Sequence, residues 1–528
     1  MNNSVALPPP ATTASPHWLL YALIGAMPLA EFMQTGVVAF NAGPVMGSIG
    51  ASPEEYSLVA TLYAVVAIGM ISHHRWVMER LGWRLFIQLS CALFGCGAVV
   101  CGASDSLVGF AVGRALMAAG GASFMTAGRV LVNHIPPSPR RFNGIRSFAT
   151  GLAVGAAAGP VLAAVAMSVG TWRTSFFALV LLAVAIGLLA TVELQDTVLA
   201  PQEHSQSYFP GMLLLMGGSF LLLHAMQRSA FDYFSEPLPV IAAVAAALAA
   251  LGLFVRLNGS RALPLIRFGD LVQRRYLIGL AVFGTCYLIL GADNYMMGVL
   301  LQRAMGVPLE PLGRYLSLGA LGGMGAWAVM SRLLPRQAGP TRYYVAGFGL
   351  LFLFGHLLSR LSEDANVLQN VVPALLCHGA LVIVVLSTTA MQTFQTLQRD
   401  PTTFSHANQV KNMLSQFGIA AGMALATLCM QWRSSLHYAQ LSESLSPTNL
   451  ALQATLGKLT SYFASLHGTA TASQMALAQL GQMVTQEATL MAALDYFYAL
   501  SIFAAVCVGL ALLEHLVRAG PNRRRGLL

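Results

Sequence analysis

Apolar runs of membrane-crossing length recur along the whole chain, separated by polar breaks. They fall at 18–40, 55–74, 85–104, 107–129, 146–168, 173–193, 209–227, 236–256, 276–301, 312–333, 342–361, 370–395, 405–430 and 489–515. A helix rising about 1.5 Å per residue needs about 20 apolar residues to cross the hydrocarbon core. Backbone polar groups in lipid must be paired within the protein, so each run is predicted to be a helix. Strands of a membrane barrel would alternate every second residue, and these runs do not. The pattern therefore predicts an all-α polytopic membrane protein with 14 transmembrane helices.

The breaks divide the spans into six, two and six, which points to an internal duplication with an inserted hairpin. The expected organisation is a short disordered cytoplasmic arm at 1–17 and an N-terminal six-helix bundle at 18–193. A linker at 194–275 carries the two inserted helices. A C-terminal six-helix bundle at 276–517 and a basic cytoplasmic tail at 518–528 complete it. Three inter-span stretches stand out by length before the second bundle: 129–146, 194–208 and 257–275. In the second bundle, 431–488 is the one sizeable outer segment. Its apolar positions recur at helical spacing around 452–466 and 475–484, which predicts one or two amphipathic helices.

Composition agrees: 56% of residues are hydrophobic, 9% are charged, and mean hydropathy is +0.66. Soluble domains carry roughly 25% charged residues. The net charge of +9 is a record of topology rather than of a nucleic-acid partner, because most of the 29 Lys and Arg fall in loops on one side. Arg75, Arg80, Arg84, Arg140, Arg141, Arg146, Arg261, Arg274, Arg275, Arg336 and Arg523–Arg525 are among them. Arg228, Arg303, Arg314, Arg360, Arg433 and Lys458 fall on the other. The positive-inside rule then puts both termini in the cytoplasm. The seven cysteines have no CxxC spacing, neither lysine (Lys411, Lys458) lies in a P-loop, and His73-His74 are adjacent and unsuited to one site. No nucleophile–base set, metal or cofactor site is expected.

Four local patterns carry more information. Arg75-x3-Glu79-Arg80-x-Gly82-x-Arg84 follows span 2 and suits a tight hairpin with paired charges. Arg114 lies inside span 4, where an unpaired guanidinium is costly and functional by default. Span 5 carries Gly151-x3-Gly155-x3-Gly159-Pro160, small residues every fourth position that let helix backbones approach. Trp172-Arg173 follows span 5.

In this order the four patterns resemble those of the major facilitator superfamily. The arrangement of six, two and six spans is similar to its fourteen-span drug/proton antiporter branch, and within it to EmrB-type exporters. Leu263-Pro264-Leu265-Ile266-Arg267-Phe268, Gln227-Arg228 with Asp232-Tyr233-Phe234-Ser235, and Trp432-Arg433 with His437–Glu443 support that likeness. The chain departs from the family pattern at Arg75 for Gly, Glu79 for Asp, Met117-Ala118 for Gln-Gly, and Ala163-Ala164 for a Gly pair. The Asp common late in span 1 is absent, and Glu31 lies earlier.

The resemblance implies the major facilitator fold and a proton-coupled exporter of amphiphilic small molecules. It implies location in the bacterial inner membrane, with a membrane-fusion adaptor and an outer-membrane channel as partners besides protons and lipid. Siderophore or metabolite export, uptake by symport, and a non-transport sensor role remain alternatives. First and fourth helices of each half line the cavity of that fold. Glu31 and Arg114 lie on these helices in one half, and Asp293 and His378 in the other. Each falls roughly 3–8 Å to the outer side of its span midpoint, at about 1.5 Å per residue. The expected roles are a proton carrier at Glu31 or Asp293, with Arg114 and His378 tuning it. The hairpin residues Glu79, Arg80, Gly82 and Arg84 are expected to form a cytoplasmic latch, and the segment 431–488 to engage the adaptor.

Overall fold

The computed structural model describes residues 17–136, 138–195, 205–232, 236–334, 339–362, 365–397, 400–446 and 449–525. Residues 1–16 of the expected arm at 1–17, Tyr233–Ser235 and Arg336 lie outside the described residues, as do the side chains of the tail from 518 onward.

The described residues form sixteen α-helices and no strand. In chain order they are α1 (His17–Phe40), α2 (Ala42–Ile49), α3 (Pro53–Ala103), α4 (Leu107–His134), α5 (Pro139–Val169) and α6 (Arg173–Glu193). There follow α7 (Phe209–Asp232), α8 (Pro237–Gly259), α9 (Phe268–Leu271), α10 (Arg274–Gly298), α11 (Leu309–Leu333) and α12 (Pro340–Leu358). The last are α13 (Val372–Phe394), α14 (Pro401–Ser444), α15 (Leu450–His467) and α16 (Thr469–Arg525). Eleven of the helical segments are long and apolar enough to cross a membrane. One of these, α3, holds two span-length arms joined at Gly82, and α11 and α12 are 25 and 19 residues long. That set is consistent with fourteen crossings.

Local chemistry sets the element boundaries. Ser52 and Glu55 exchange hydrogen bonds with each other's backbone N–H and open α3 with a capping box. Gly82, at φ 77° and ψ 166°, turns the chain between the two arms of α3 in a conformation that favours glycine. One stretch differs from the sequence expectation. The supposed long loop 129–146 is mostly helix, because α4 runs on to His134 and α5 starts at Pro139. In 431–488, α14 runs on to Ser444, and the apolar positions at 452–466 and 475–484 lie on α15 and the start of α16.

Packing repeats between the halves. In the first, α1 lies along α5, and α3 along α4 and α6; in the second, α10 lies along α14, α11 along α13, and α12 along α16. Gly151, Gly155 and Gly159 of α5 meet the carbonyls of Gly25, Leu29 and Met33 on α1. Gly291 of α10 meets the carbonyl of Ile419, and Gly422 of α14 that of Leu288. Such glycine seams hold helices together where lipid removes most of the hydrophobic drive. The halves meet through α5 on α11 and α3 on α14. Of the inserted pair, α7 touches both halves, packing on α3 and α14. Its Gln227 accepts from Thr61 (2.8 Å) and donates to the Ser57 carbonyl (3.1 Å), and Arg228 pairs with Glu54. The Gln227-Arg228 motif thereby ties the insert to α3.

Candidate functional site

The first embedded site is built on α1. Glu31 is 5% exposed, and its carboxylate accepts from the Tyr63 hydroxyl at 3.1 and 3.2 Å. Gln416, on α14 of the other half, donates to it at 3.0 Å. One turn along α1, Gln34 donates to the Tyr63 hydroxyl (2.8 Å) and accepts from the Arg114 guanidinium (2.7 Å). Arg114 also lies over the Tyr63 ring, 4.1 Å from its centroid, and its Nε has no partner. Among the described residues no direct ion pair joins Glu31 to Arg114; Tyr63 and Gln34 stand between them. Gly121 faces the carboxylate, and a Cβ there would come within 3.1 Å of Glu31 Oε2. The missing side chain makes room for the acid.

The second site repeats the theme with direct contacts. Asp293 on α10 is fully buried; its Oδ2 lies 3.0 Å from His378 Nε2, and its Oδ1 accepts from Tyr496 at 2.8 Å. His378 packs against Phe354 in a tilted arrangement, at a centroid distance of 4.7 Å. Beside the pair is a cavity of about 20 Å³, lined by Cys286, Ile289, Phe348 and Leu351 as well as Asp293 and His378. One water needs about 10–15 Å³ of such space. The helix carrying Asp293 loosens into a π-turn at Val299–Ala304, and another π-turn at Val367–Val371 leads into the helix carrying His378. Such turns are frequent at functional positions.

At the hairpin, Glu79 pairs with Arg75 rather than with Arg80 or Arg84: Arg75 Nε lies 2.5 Å from Oε1. The Ser205 backbone N–H donates to Glu79 Oε2 at 2.6 Å. Arg80 donates to the carbonyls of Trp76 and Ser205 at 3.1 and 3.2 Å and covers the Trp76 ring. Arg84 makes no charged contact among the described residues. The structure thus brings Glu79 and Arg80 together through Ser205, the residue that leads into the inserted pair. Along the α1–α5 seam, near the start of both helices, runs an open groove of about 440 Å³, lined by Ala22, Ala26, Asn143, Arg146 and Gly151. That volume is in the usual range for small-molecule sites, about 300–1,000 Å³.

Sequence reasoning paired Glu31 with Arg114 and Asp293 with His378, and missed Tyr63, Gln34, Gln416 and Tyr496. Those are neutral polar residues within apolar spans, which hydropathy alone does not separate from lipid-compatible ones. It also passed over Lys411, although a lysine inside the run 405–430 is itself a signal.

The Major Facilitator Superfamily model matches residues 22–423, and the chain belongs to that superfamily. A relative from Escherichia coli O1:K1 / APEC is MdtD, provisionally named a multidrug resistance protein. It is 25% identical over 327 residues, 61% of this chain and 67% of that one. YhcA of Bacillus subtilis (strain 168), an uncharacterized MFS-type transporter, is 22% identical over 438 residues, 82% of this chain and 80% of its own. Among solved structures, a bacterial homologue of the human lysosomal transporter Spinster, inward-facing and unoccupied, has a TM-score of 0.55 at 16% identity. The match covers 94% of this chain and 98% of that one. An autoinhibited POT family peptide transporter gives 0.57 at 15%, covering 94% and 97%. The protein is a multi-pass membrane transporter of this superfamily, not an enzyme.

Proposed function

We propose that this chain is a proton-coupled antiporter that exports amphiphilic, drug-like small molecules across the bacterial inner membrane, with both termini in the cytoplasm. The observation that carries the reading is the hydrogen bond from Gln416 to Glu31, which ties an embedded carboxylate of one half to the other half. A carboxylate that loses its charge holds such a donor less strongly, since hydrogen bonds to charged groups are the stronger kind. Protonation of Glu31 and separation of the halves are then linked. Asp293, with His378 and Tyr496, is the corresponding carrier in the second half, and Arg114 acts on Glu31 through Gln34 and Tyr63.

The energetics suit export: one proton crossing roughly 100 mV releases about 2.3 kcal/mol. At about 1.4 kcal/mol per tenfold, that supports a concentration ratio of a few tens. Gly151, Gly155, Gly159 and Pro160 match the antiporter motif of the family, and the name of the relative MdtD favours drug-like cargo. The units 18–193 and 276–517 are the moving halves, with 194–275 as the insert. In proteoliposomes, an imposed pH gradient is expected to drive substrate opposite to protons. Movement in the same direction as protons, or none, would overturn the antiport reading.

The outer helices bear on partners. No residue of α15 is buried, and Leu450, Tyr462 and Leu466 are exposed on it. We assign 431–488 the docking of a membrane-fusion adaptor that leads to an outer-membrane channel. Deleting 445–485 is expected to leave membrane insertion intact and to reduce export from cells with two membranes. Normal export by that variant would end the docking role.

A further inference from the structure

Near the start of α14 and the end of α4, the seam between the halves holds two cations that no carboxylate neutralises among the described residues. Lys411, on α14, is 7% exposed. Its Nζ lies 3.4 Å from the Tyr287 hydroxyl and 5.6 Å from the ring centroids of both Phe283 and Tyr287. Arg129 approaches from α4, within electrostatic range of both Lys411 and Tyr287. Its guanidinium is 5.9 and 5.7 Å from the ring centroids of Phe148 and Phe394. The rings connect the two charges: Phe394 lies 6.4 Å from Phe283, and Phe283 stacks on Tyr287 at 6.1 Å.

Among the described residues neither cation has an Asp or Glu within 4 Å. Glu31, the acid on α1, is held by Tyr63 and Gln416 instead. One turn before Lys411, Asn408 is 2% exposed, and its Nδ2 donor has no partner. Neutral contacts join the halves beside the two cations, Asn412 to Thr126 at 2.7 Å and Gln409 to the Ile71 carbonyl at 3.1 Å.

A buried cation is ordinarily paired, and two that repel each other make the deficit larger. Aromatic faces offset part of it, but they also leave the charges available to a better partner. Arg114 has the Gln34 amide oxygen as a close acceptor at 2.7 Å, whereas the acceptor for Lys411, the Tyr287 hydroxyl, is at 3.4 Å. Charge at one end with aromatic rings beside it is the chemistry that suits a molecule with an anionic head and an apolar body.

Resting on the export reading above, we propose that Lys411 and Arg129 bind the head of an amphiphilic organic monoanion, with Phe283, Tyr287 and Phe394 against its body. The substrate class is then anionic amphiphiles such as aromatic or aliphatic carboxylates, rather than lipophilic cations.

The test uses the full chain in phosphatidylcholine nanodiscs, free of anionic lipid, with 2-naphthoate, decanoate and the cationic 2-naphthylmethylammonium as probes. Wild type is expected to bind naphthoate or decanoate at least tenfold more tightly than the ammonium. Lys411→Met and Arg129→Gln should each weaken anion binding at least tenfold, with Lys411→Arg within threefold of wild type. Equal or tighter binding of the ammonium by wild type overturns the proposal, whatever the variants do. So does a Lys411→Met protein that melts like wild type and keeps its affinity for the anion. Proton-driven movement of the ammonium without anion binding removes this site and leaves the export reading standing. Lys411-dependent anion binding without proton-driven movement does the reverse.

Discussion

Replacing Gly155 with alanine puts a methyl group against the backbone of α1. The added Cβ would lie 2.5 Å from the Leu29 carbonyl oxygen, 2.8 Å from its Cα and 3.0 Å from its carbonyl carbon. Close C–H···O contacts settle at about 3.3–3.6 Å, so α1 and α5 must separate by roughly 1 Å. None of the three atoms can swing aside, because all belong to the α1 backbone. Overpacking of this kind costs about 1–3 kcal/mol, and the upper part of that range applies where backbone meets backbone. Alanine recovers about 1 kcal/mol through its better helix propensity. A net loss of about 1–2 kcal/mol follows, or roughly a tenfold change in the folding equilibrium. Function should suffer as well. Leu29 lies two residues before Glu31, and the hydrogen bond from Gln416 to Glu31 is 3.0 Å long, with little slack for a shift of that size. The assay is the melting temperature of the detergent-solubilised protein together with its transport rate. Gly252→Ala on α8 is the control, since a Cβ there meets nothing within 4 Å. Wild-type melting and rate in Gly155→Ala would refute the close seam and its link to Glu31.

Two other perturbations read separate parts of the account. Glu79→Gln removes the charge that Arg75 faces while keeping an acceptor for Ser205 N–H; it should cost about 2 kcal/mol and lower turnover without blocking insertion, and an unchanged rate would leave the hairpin with a topological role only. Asp400 caps α14, accepting from the N–H groups of Thr402 and Thr403 and from the Thr403 hydroxyl. Burial pushes its pKa up, but these bonds and the charge of Arg267 outweigh it and hold the carboxyl below its usual range. Asp400→Ala should therefore cost about 1 kcal/mol at neutral pH. A lowered folded-state pKa contributes stability above the unfolded value and loses it as pH falls through the folded one. The gap in melting temperature between wild type and Asp400→Ala should thus hold down to about pH 4 and narrow below it; a gap that widens in acid would contradict the sign.

Much of the fold is legible in the sequence because lipid imposes a simple rule, and an unbroken apolar run has few alternatives to a helix. Gly82 marked the hairpin, and Gly151, Gly155 and Gly159 marked the α1–α5 seam. The matching seam at Gly291 and Gly422 was equally legible, as Gly418-x3-Gly422 in span 13, but only once the duplication is used to look for it. Helix ends were harder: polarity near 129–146 reads as a loop, whereas α4 and α5 carry their arginines on helical backbone. The embedded charges were visible as costs, and the family resemblance, with depth arithmetic, grouped Asp293 with His378, which lie 3.0 Å apart. Glu31 and Arg114 were grouped in the same way, yet two side chains intervene. Which neutral residue bridges two charges depends on helix rotation, and periodicity in a uniformly apolar span does not record rotation.

The central claim is that an embedded carboxylate carries the coupled proton. Its most direct test compares Glu31→Gln, Asp293→Asn and the double variant with wild type in proteoliposomes, measuring substrate accumulation driven by an imposed pH gradient alongside equilibrium substrate binding. At least one single variant, and the double variant, are expected to bind substrate still but no longer to accumulate it against its gradient. A double variant that concentrates substrate as wild type does would contradict the claim and leave both clusters as packing devices.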